Sequence, residues 1–351
     1  MTSVAVKAVA REMPGLVSLA LRFQAWWDGR DPRDLMPYQQ APTTRPITAK
    51  EADVAAAMAA EAPIGAPASP PLHNPWCSTR IALVEKLWGT GFHTPGGAEH
   101  ILELVKPMRL DESKCLLDLG CGLGGGARTV TAEFGTWVTG IEWWKDLALA
   151  GIERSTRANM SRKAAVQFQA NGQLFLKPNS FAGIFSKEAL FTVPEKEPVL
   201  QMISNALKID GELCFTDYVV LGDRGMSHHL EEWCEREPIG AHPWSIAEYS
   251  SALGQLGYDL RVSEDMTERH CQLIRDGWRR LVDGLAPGSV TPETMPFIVR
   301  EAEIWARREA LLRKGDLRHY RFFAIKRRQG GRIARKDTAA SVAAAAQVVP
   351  S

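Results

Sequence analysis

The sequence lacks the features of a membrane protein, of a disulfide-stabilised secreted domain and of a zinc-binding domain. No apolar run approaches the roughly 20 residues that a membrane-spanning helix needs. The six cysteines are scattered, and no CxxC pair or Cys/His cluster has the spacing of a zinc site. Several of them lie inside apolar runs, so we expect reduced core thiols, no bound metal and a cytoplasmic location.

The sequence also lacks an excess of charge of either sign. Lys and Arg number 42 and Asp and Glu number 41, which gives a net charge of +1. A nucleic-acid-binding face needs a basic excess, and the basic run at Lys326–Lys336 is more typical of a solvated tail. We therefore expect a small-molecule substrate, no nucleic-acid partner and no integral membrane association. No sequence feature indicates an oligomeric state.

The composition changes along the chain and predicts four segments. The 351 residues allow one decorated domain, or one domain with a small appendage. Proline and alanine are concentrated near the N-terminus, and alanine dominates the last residues. The predicted segments are an N-terminal helical extension (1–40), an Ala/Pro-rich linker (41–75), an α/β domain (76–330) and a disordered tail (331–351).

Between its ends the chain alternates short apolar runs with amphipathic helical patterns. This alternation predicts an α/β fold, a mostly parallel sheet with helices on both faces. A long gap, residues 264–318, predicts a helical insertion with helices near 267–284 and 292–313. The predicted strands are 115–119, 137–141, 166–170, 181–185, 212–217, 258–262 and 320–325. The predicted helices before the insertion are 97–105, 125–133, 145–159, 197–207 and 245–256.

A glycine-rich turn follows the first predicted strand. Residues 116–126 read LLDLGCGLGGG, in which glycines permit a tight turn and a close backbone approach to a ligand. The same glycines satisfy GxGxxG, so a nicotinamide-dependent oxidoreductase stays open as an alternative. Asp118 argues against it, because a carboxylate there repels a pyrophosphate but accepts from an ammonium group. Glu142 ends the next strand, where it can hold ribose hydroxyls.

The segment 118–124, DLGCGLG, resembles motif I of the class I S-adenosylmethionine-dependent methyltransferases. The resemblance covers about residues 85–328 and implies seven strands in the order 3-2-1-4-5-7-6, with the seventh antiparallel. It implies S-adenosylmethionine as the cofactor and assigns roles to several residues. Asp118 and the backbone of Gly120, Gly122 and Gly124 would hold the methionine moiety, Glu142 the ribose, and Trp143 and Asn171 the adenine. A packing role for Trp143 and a turn role for Asn171-Gly172 stay open.

A second loop, residues 87–97 (LWGTGFHTPGG), precedes the first strand and predicts a lid. Trp88 and Phe92 are placed to face the sulfonium and the acceptor, since aromatic faces attract cations. The alternative is a hydrophobic clamp at the sheet edge.

With the segments FSKEA (185–189) and FTDY (215–218), this loop resembles the small-molecule N-methyltransferases of the phosphoethanolamine and glycine/sarcosine type. The resemblance places Glu188 at the acidic position after the fourth strand and Tyr218 in the Thr-Asp-Tyr segment. Val84 and Thr192 replace a tyrosine and a histidine of that group. Near residues 240–244, where those enzymes clamp phosphate, only His242 is a potential cation.

Methyl transfer is an in-line displacement, and it needs a base only when the acceptor arrives protonated. Glu188 is the predicted base or ammonium anchor, with Tyr218 as the second catalytic residue; a helix N-terminal carboxylate is the alternative for Glu188. His228, His229 and Trp233 are predicted to bind a substrate carboxylate, and plain surface polarity is the alternative for the two histidines.

The leading hypothesis is N-methylation of a small polar amine. The alternatives are S-methylation of a thioether acid, such as 4-methylthio-2-hydroxybutyrate in dimethylsulfoniopropionate synthesis, and methylation of a lipid headgroup reached through Trp26-Trp27. A non-catalytic cofactor-binding scaffold also stays open.

Overall fold

The computed structural model describes residues 75–170, 173–222, 227–285 and 290–328. Helices and strands alternate along these ranges, as the sequence predicts. The helices are α1 (Ser78–Trp88), α2 (Gly97–Val105), α3 (Gly125–Phe134), α4 (Lys145–Arg157), α5 (Lys196–Ala206), α6 (His228–Arg236), α7 (Ile246–Gln255), α8 (Thr267–Asp283) and α9 (Met295–Lys314). The strands are β1 (Cys115–Leu119), β2 (Trp137–Glu142), β3 (Ala164–Phe168), β4 (Phe181–Lys187), β5 (Leu207–Val220), β6 (Trp244–Ser245), β7 (Tyr258–Asp265) and β8 (Arg318–Lys326).

All of these strands belong to one sheet. The order is β3-β2-β1-β4-β5-β8-β7, and β6 pairs with β5 outside this path. Strands β1 to β5 are parallel, and β8 is antiparallel to both β5 and β7. The predicted order 3-2-1-4-5-7-6 is therefore confirmed for the seven long strands. The short strand β6 was not predicted, because a strand of two residues is too short to show a hydrophobic period.

Several predicted boundaries are wrong by a few residues. The largest difference is at β5, which begins at Leu207, directly after α5, and not at residue 212. The first residues of β5 are irregular: Asp210 has a φ of 58°, and the β4–β5 register shifts between Phe181 and Gly183. This part of β5 is mostly polar, so a search for apolar runs did not recognise it as a strand. Similarly, β3 begins at Ala164 and ends at Phe168, two residues earlier than predicted.

The core lies on both faces of the sheet. Leu117, Ile184 and Phe215 are buried on one face, together with residues of α5 and α7. Their chain neighbours Leu116, Phe185 and Cys214 are buried on the other, against α2 and α3. Successive side chains of a strand point to opposite faces, so these strands need apolar residues at every position. Polar functional side chains are therefore expected at the strand ends and in the loops that follow them.

All six cysteines are free, as expected, but Cys77 and Cys115 are exposed. The prediction of core thiols is wrong for these two, because Cys77 is the N-cap of α1 and Cys115 is the first residue of β1.

The main compact unit runs from Trp76 to Thr294 and resumes at Arg307; Met295–Ala306, the first part of α9, belongs to a second unit. The predictions for the N-terminal helix, for nearly all of the linker and for the tail fall outside the described residues. Within the described ranges, no helix combines the length and the apolar character that crossing a membrane requires.

Candidate active site

The loop after β1 needs glycine for two reasons. Gly120, Gly122 and Gly124 have φ values of 73°, 54° and 71°, the left-handed conformation that L side chains rarely adopt. A Cβ on Gly120 would also overlap Ala189, and one on Gly122 would overlap the ring of His93. The loop therefore brings bare backbone against the neighbouring segments before α3 begins at Gly125.

Glu142, at the end of β2, is tied to this loop. Its Oε2 accepts from the amide of Gly122 at 2.7 Å, and its Oε1 accepts from the amide of Trp144 at 2.8 Å. Burial raises the pKa of Glu142 to about 7, against the opposing effect of these amide donors. Each carboxylate oxygen has a further lone pair, so both can still accept from ligand hydroxyls.

Asp118 lies on β1, two residues before Gly120, and is buried. Burial, followed by the charge of Glu142, raises its pKa to about 8, while the backbone amide of Ala127 acts in the opposite direction. Two buried carboxylates in one place disfavour each other's ionised form. A bound ammonium group would offset this, so the site fits an amino-acid moiety better than a pyrophosphate.

Trp143 is half-buried and its ring lies against Gly120, with Cη2 2.9 Å from the place of a Cβ there. It also packs against the core cluster that contains Leu119 and Ile141. Asn171 and Gly172 fall outside the described residues. The adenine roles of Trp143 and Asn171 stay predictions.

The predicted lid lies directly on the glycine loop. The carbonyl of Gly91 accepts from the amide of Gly125 at 3.0 Å, and the amide of Gly91 donates to Glu85 Oε1 at 2.7 Å. Arg154 of α4 holds the same carboxylate with two hydrogen bonds, at 2.6 and 2.5 Å. The loop is thus fixed by backbone contacts and by one ion pair.

The aromatic residues of the lid occupy different environments. Trp88 is 1% exposed and packs on α8, where a Cβ on Gly277 would overlap its ring. Phe92 is half-buried and lies against Gly125. These positions are compatible with the clamp alternative, and the roles of Trp88 at the cofactor and of Phe92 at the substrate stay predictions.

His93, which sequence reasoning did not single out, is a further lid residue that faces the glycine loop. Its ring lies against Gly122 and packs edge-on to Trp76, with 5.5 Å between centroids. Burial, with Lys187 adding to it, lowers the pKa of His93 to about 3, so the ring is neutral.

Glu188 directly follows β4 and has a φ of 45°, which is rare for a residue with a side chain. Its buried carboxylate accepts from Lys187 Nζ at 2.7 Å, Thr216 Oγ1 at 3.0 Å and His319 Nε2 at 2.9 Å. Burial acts to raise its pKa, but Lys187 and His319 hold the pKa of Glu188 well below its usual range. Such a carboxylate is an anchor and a poor proton acceptor. Strained backbone of this kind is concentrated at functional sites.

Lys187 connects Glu188 to the lid. Besides Glu188, its Nζ donates to Thr94 Oγ1 at 2.6 Å and to the carbonyl of Pro95 at 2.8 Å. The lid, the end of β4 and the residues around Glu188 therefore share one buried hydrogen-bond network.

Tyr218 and two histidines complete this network. The hydroxyl of Tyr218 is 2.8 Å from His270 Nε2, and the rings of His270 and His319 stack with 3.9 Å between centroids and 8° between planes. Ligand atoms of Glu188, His270 and His319 all lie within 4.8 Å of one another. A metal ion must lie near the plane of each imidazole that binds it, and two stacked parallel rings do not offer that arrangement. The cluster is organised by hydrogen bonds.

Trp233 belongs to an aromatic cluster with Phe191 and Tyr218. Trp233 stacks on Phe191 at 5.9 Å, and Tyr218 meets Phe191 edge-on at 5.0 Å. Arg308 lies 5.6 Å from the ring centroids of both Phe191 and Tyr218, and its guanidinium pairs with both oxygens of Glu237 at 2.8 and 2.9 Å.

The three residues predicted to bind a substrate carboxylate are not brought together. His228 and His229 are exposed on α6, whereas Trp233 is fully buried and donates to Glu237. Residues four positions apart, such as His229 and Trp233, are neighbours on a helix surface. Spacing alone therefore did not show that Trp233 is buried and that the two histidines are exposed.

Sequence reasoning missed several residues of the site. Lys187 lay within a quoted segment beside Glu188, but His270, His319 and Arg308 are isolated in the sequence and carry no local signal. Only the packing of α8, β8 and α9 brings them to Glu188 and Tyr218.

A family model described as "Methyltransferase domain" matches residues 110–262, a range that contains the glycine loop, Glu142, Glu188 and Tyr218. With the strand order and the buried acidic pair, this match defines the class. Residues 110–262 are therefore a methyltransferase domain of the class I, S-adenosylmethionine-dependent type, and S-adenosylmethionine is the cofactor of that type. The nicotinamide alternative is therefore wrong.

Among curated proteins, phosphoethanolamine N-methyltransferase 1 of Arabidopsis thaliana is 26% identical over 200 residues, 56% of this chain and 39% of the relative. Phosphoethanolamine N-methyltransferase 2 of Caenorhabditis elegans is 32% identical over 146 residues, 41% of this chain and 33% of the relative. The chain thus spans less than half the length of these relatives. A solved structure of a Haemonchus contortus phosphoethanolamine N-methyltransferase 2, in complex with phosphomonomethylethanolamine and S-adenosylhomocysteine, has a TM-score of 0.62. It is 22% identical and covers 71% of this chain and 57% of that one, and it indicates the fold.

Proposed function

We propose that this methyltransferase transfers a methyl group to the nitrogen of a small polar amine. The observation that carries the proposal is the buried carboxylate of Glu188 beside the rings of His319 and Tyr218, whose centroids are 5.6 Å apart. Lys187 and His319 hold the pKa of this carboxylate well below its usual range, which favours its ionised form. A carboxylate next to aromatic faces is an environment that suits an ammonium group. The rings of Phe191 and Tyr218 already accept a cation of this chain, Arg308.

The relatives support the same reaction, since their names describe N-methylation of phosphoethanolamine. A phosphate on the substrate is less well supported. His242 is an exposed residue, and partial desolvation of its ring, followed by the charge of Lys196, lowers its pKa, which favours the neutral ring. Phosphate binding calls for charged Arg or Lys donors. We therefore propose an amine that carries no phosphate.

The residues have separate tasks in this reaction. S-adenosylmethionine supplies a methyl group on a sulfonium when it is bound. Asp118 would hold its ammonium group and Glu142 its ribose hydroxyls, while Lys187 and the lid would exclude water above Glu188. Glu188 anchors and orients the acceptor ammonium, which must release a proton before its nitrogen can attack.

One observation favours a second candidate, S-methylation of a thioether acid. All three donors to Glu188 come from the chain itself, and its low pKa makes it a weak base. A thioether needs no base. Arg308, beside the aromatic cluster, would then receive the substrate carboxylate. Trp26 and Trp27, on which the lipid-headgroup alternative depends, fall outside the described residues.

Methylation assays with labelled S-adenosylmethionine distinguish these candidates. The acceptor panel contains ethanolamine, glycine, sarcosine, dimethylglycine, phosphoethanolamine, methionine and 4-methylthio-2-hydroxybutyrate, with mass spectrometry of the labelled product. We expect methylation of an amine without phosphate. Turnover of a thioether and of none of the amines would overturn the proposal. Binding of S-adenosylhomocysteine without any turnover would indicate a scaffold.

A further inference from the structure

We infer that His270 and His319 form a proton relay with Tyr218 that accepts the proton released by an amine acceptor, with Glu188 as its anionic end. The inference rests on the proposed function, because a thioether releases no proton. The assignments above give His270 no role, and they give His319 only its place beside Glu188.

The positions of the two histidines are set by the backbone. His319 lies directly opposite Tyr218 in the antiparallel β5–β8 ladder, so both side chains share one face of the sheet. The amide of His319 donates to Thr267 Oγ1 at 3.0 Å, which fixes the start of α8. His270 follows three residues later and stacks on His319. The stack is therefore a consequence of how α8 begins.

The hydrogen bonds define a tautomer for each ring. His319 Nε2 faces the ionised Glu188 at 2.9 Å, so this nitrogen carries the hydrogen. His319 Nδ1 is buried and has no hydrogen-bond partner within the described part of the chain. Burial raises the pKa of Tyr218, so its hydroxyl keeps its proton and donates it to His270 Nε2 at 2.8 Å. His270 therefore carries its hydrogen on Nδ1 and presents a lone pair to Tyr218.

His270 starts as a neutral ring. Burial lowers the pKa of His270 well below its usual range; the charge of Lys187 acts in the same direction, and Glu188 opposes both. An amine bound in the same place is also desolvated and lies near a sulfonium, so its pKa falls as well. The proton transfer from the acceptor to His270 is therefore closer to balance than their pKa values in water suggest.

The step conserves charge and atoms. The ammonium gives one proton to the oxygen of Tyr218 while the hydroxyl proton of Tyr218 passes to His270 Nε2. The freed lone pair forms the new N–C bond as the S–C bond of the methyl donor breaks, which leaves a neutral thioether. The imidazolium of His270 lies on the face of His319, whose Nε2–H remains bonded to Glu188. The proton passes to water when the product leaves.

The kinetic test compares His270→Gln and His319→Gln with the wild-type enzyme across pH. At pH 7 we expect kcat to fall by about 10²–10⁴-fold in His270→Gln, the usual range for loss of a proton acceptor, with an unchanged KM for S-adenosylmethionine. The loss should shrink about tenfold per pH unit as the free-amine fraction of the substrate increases. His100→Gln removes another buried histidine, on α2, and should keep the wild-type pH profile.

A second measurement does not depend on turnover. In ¹⁵N-histidine NMR of the protein without substrate, one buried ring should be the Nδ1–H tautomer and another the Nε2–H tautomer, and these signals should disappear in His270→Gln and His319→Gln respectively. The opposite tautomers would overturn the relay, as would one equivalent of tightly bound metal. If the wild type methylates an amine but His270→Gln loses the same factor at every pH, the relay is wrong and the proposed function stands. If the wild type methylates no amine, the proposed function fails and the relay fails with it.

Discussion

The carboxylate of Glu142 and the amide of Gly122 are hydrogen-bonded at 2.7 Å across two adjacent strand ends. The acid at the end of β2 therefore shapes the glycine loop that follows β1. Glu142 and Asp118 are both buried, and the negative charge of Glu142 adds to the effect of burial in raising the pKa of Asp118.

Cofactor affinity should consequently increase as pH rises from about 6 to about 8. Asp118, whose pKa is about 8, must lose its proton to pair with the ammonium of the ligand. Below that pKa the affinity should change by up to about tenfold per pH unit. Calorimetric titration of S-adenosylhomocysteine in buffers of different ionisation enthalpy measures both the affinity and the released protons. Asp118→Asn should bind S-adenosylhomocysteine about 10- to 100-fold more weakly, as expected for loss of a charged hydrogen bond, and its affinity should no longer depend on pH. If the affinity of the wild type does not depend on pH, Asp118 does not bind the ammonium group.

The same shifts predict the opposite trend for the stability of the free protein. The pKa values of Asp118 and Glu142 are raised on folding, from 3.8 to about 8 and from 4.5 to about 7. The unfolded chain therefore releases these protons first, and the free energy of unfolding decreases as pH rises between about 4 and 8. Thermal unfolding at several pH values, with and without S-adenosylhomocysteine, checks this. S-adenosylhomocysteine should stabilise the protein most at pH 8. The prediction is contradicted if the free protein becomes more stable between pH 5 and 8 and Asp118→Asn shows the same pH dependence.

A methyl group on the glycine loop should prevent cofactor binding. In Gly122→Ala the added Cβ meets the ring of His93, and the residue must keep a φ of 54°. The left-handed conformation alone disfavours an L residue by about 1–2 kcal/mol, and the overlap adds to this. We expect at least tenfold weaker binding of S-adenosylhomocysteine in a thermal-shift titration. Gly254→Ala is the matched control: it lies in α7 with no atom within 4 Å of the new Cβ, so it should keep the affinity and gain up to about 1 kcal/mol of stability.

The fold and the cofactor loop were predictable because their signals are local. Each long strand is a continuous apolar run, and Asp118, the glycines and Glu142 stand within 25 residues of chain. The position of Glu188 at the end of β4 was predictable for the same reason. Its partners Thr216 and His319 were not predictable, since they are 28 and 131 residues away and reach it only through the β4–β5 and β5–β8 pairings.

Trp88 illustrates the other limit of sequence reasoning. A tryptophan beside glycines in a loop suggests a ligand contact, but α1 continues to Trp88 and α8 presents Gly277 to it. The burial of Trp88 depends on a helix almost 200 residues further along the chain. His93, five residues later, faces the glycine loop, and no pattern distinguished the two positions.

The ion pair between Arg154 and Glu85 should keep the lid closed over the cofactor. Both side chains are less than one-fifth exposed, and Glu85 also holds the amide of Gly91. Arg154→Met should lower the stability by about 1.5–3 kcal/mol, as loss of charged hydrogen bonds does, and should increase the dissociation rate of S-adenosylhomocysteine in stopped-flow measurements. Arg157→Met is the control on the same helix, because its pair with Glu153 is exposed and is worth about 0.5 kcal/mol or less. Equal dissociation rates in the two variants would mean that the lid does not depend on this pair.

Glu188→Gln tests the acceptor directly. The variant leaves Lys187 without its carboxylate, and breaking a buried ion pair typically destabilises by about 3–5 kcal/mol. Since the pKa of Glu188 is lowered on folding, its contribution to stability is present above the unfolded pKa and is lost as pH falls through the folded one. If the acceptor is an amine, kcat/KM should fall by about 10²–10⁴-fold, with little change in cofactor affinity; with a thioether the change should be much smaller.

Glu309→Gln separates this chemical effect from the loss of stability. Glu309 is also buried, is paired with Arg275 and lies on α9, away from Glu188 in the sequence. Both variants should lower the melting temperature, but at a temperature where both are folded only Glu188→Gln should lose turnover. Tyr218→Phe completes the set, because it removes the hydroxyl that lies 2.8 Å from His270 Nε2. If the proposed relay is right, this variant should reproduce the kinetic loss with a smaller effect on stability. Wild-type kcat/KM in both Glu188→Gln and Tyr218→Phe would place the acceptor elsewhere, since no other buried carboxylate of the described residues lies at the end of β4 beside the aromatic cluster.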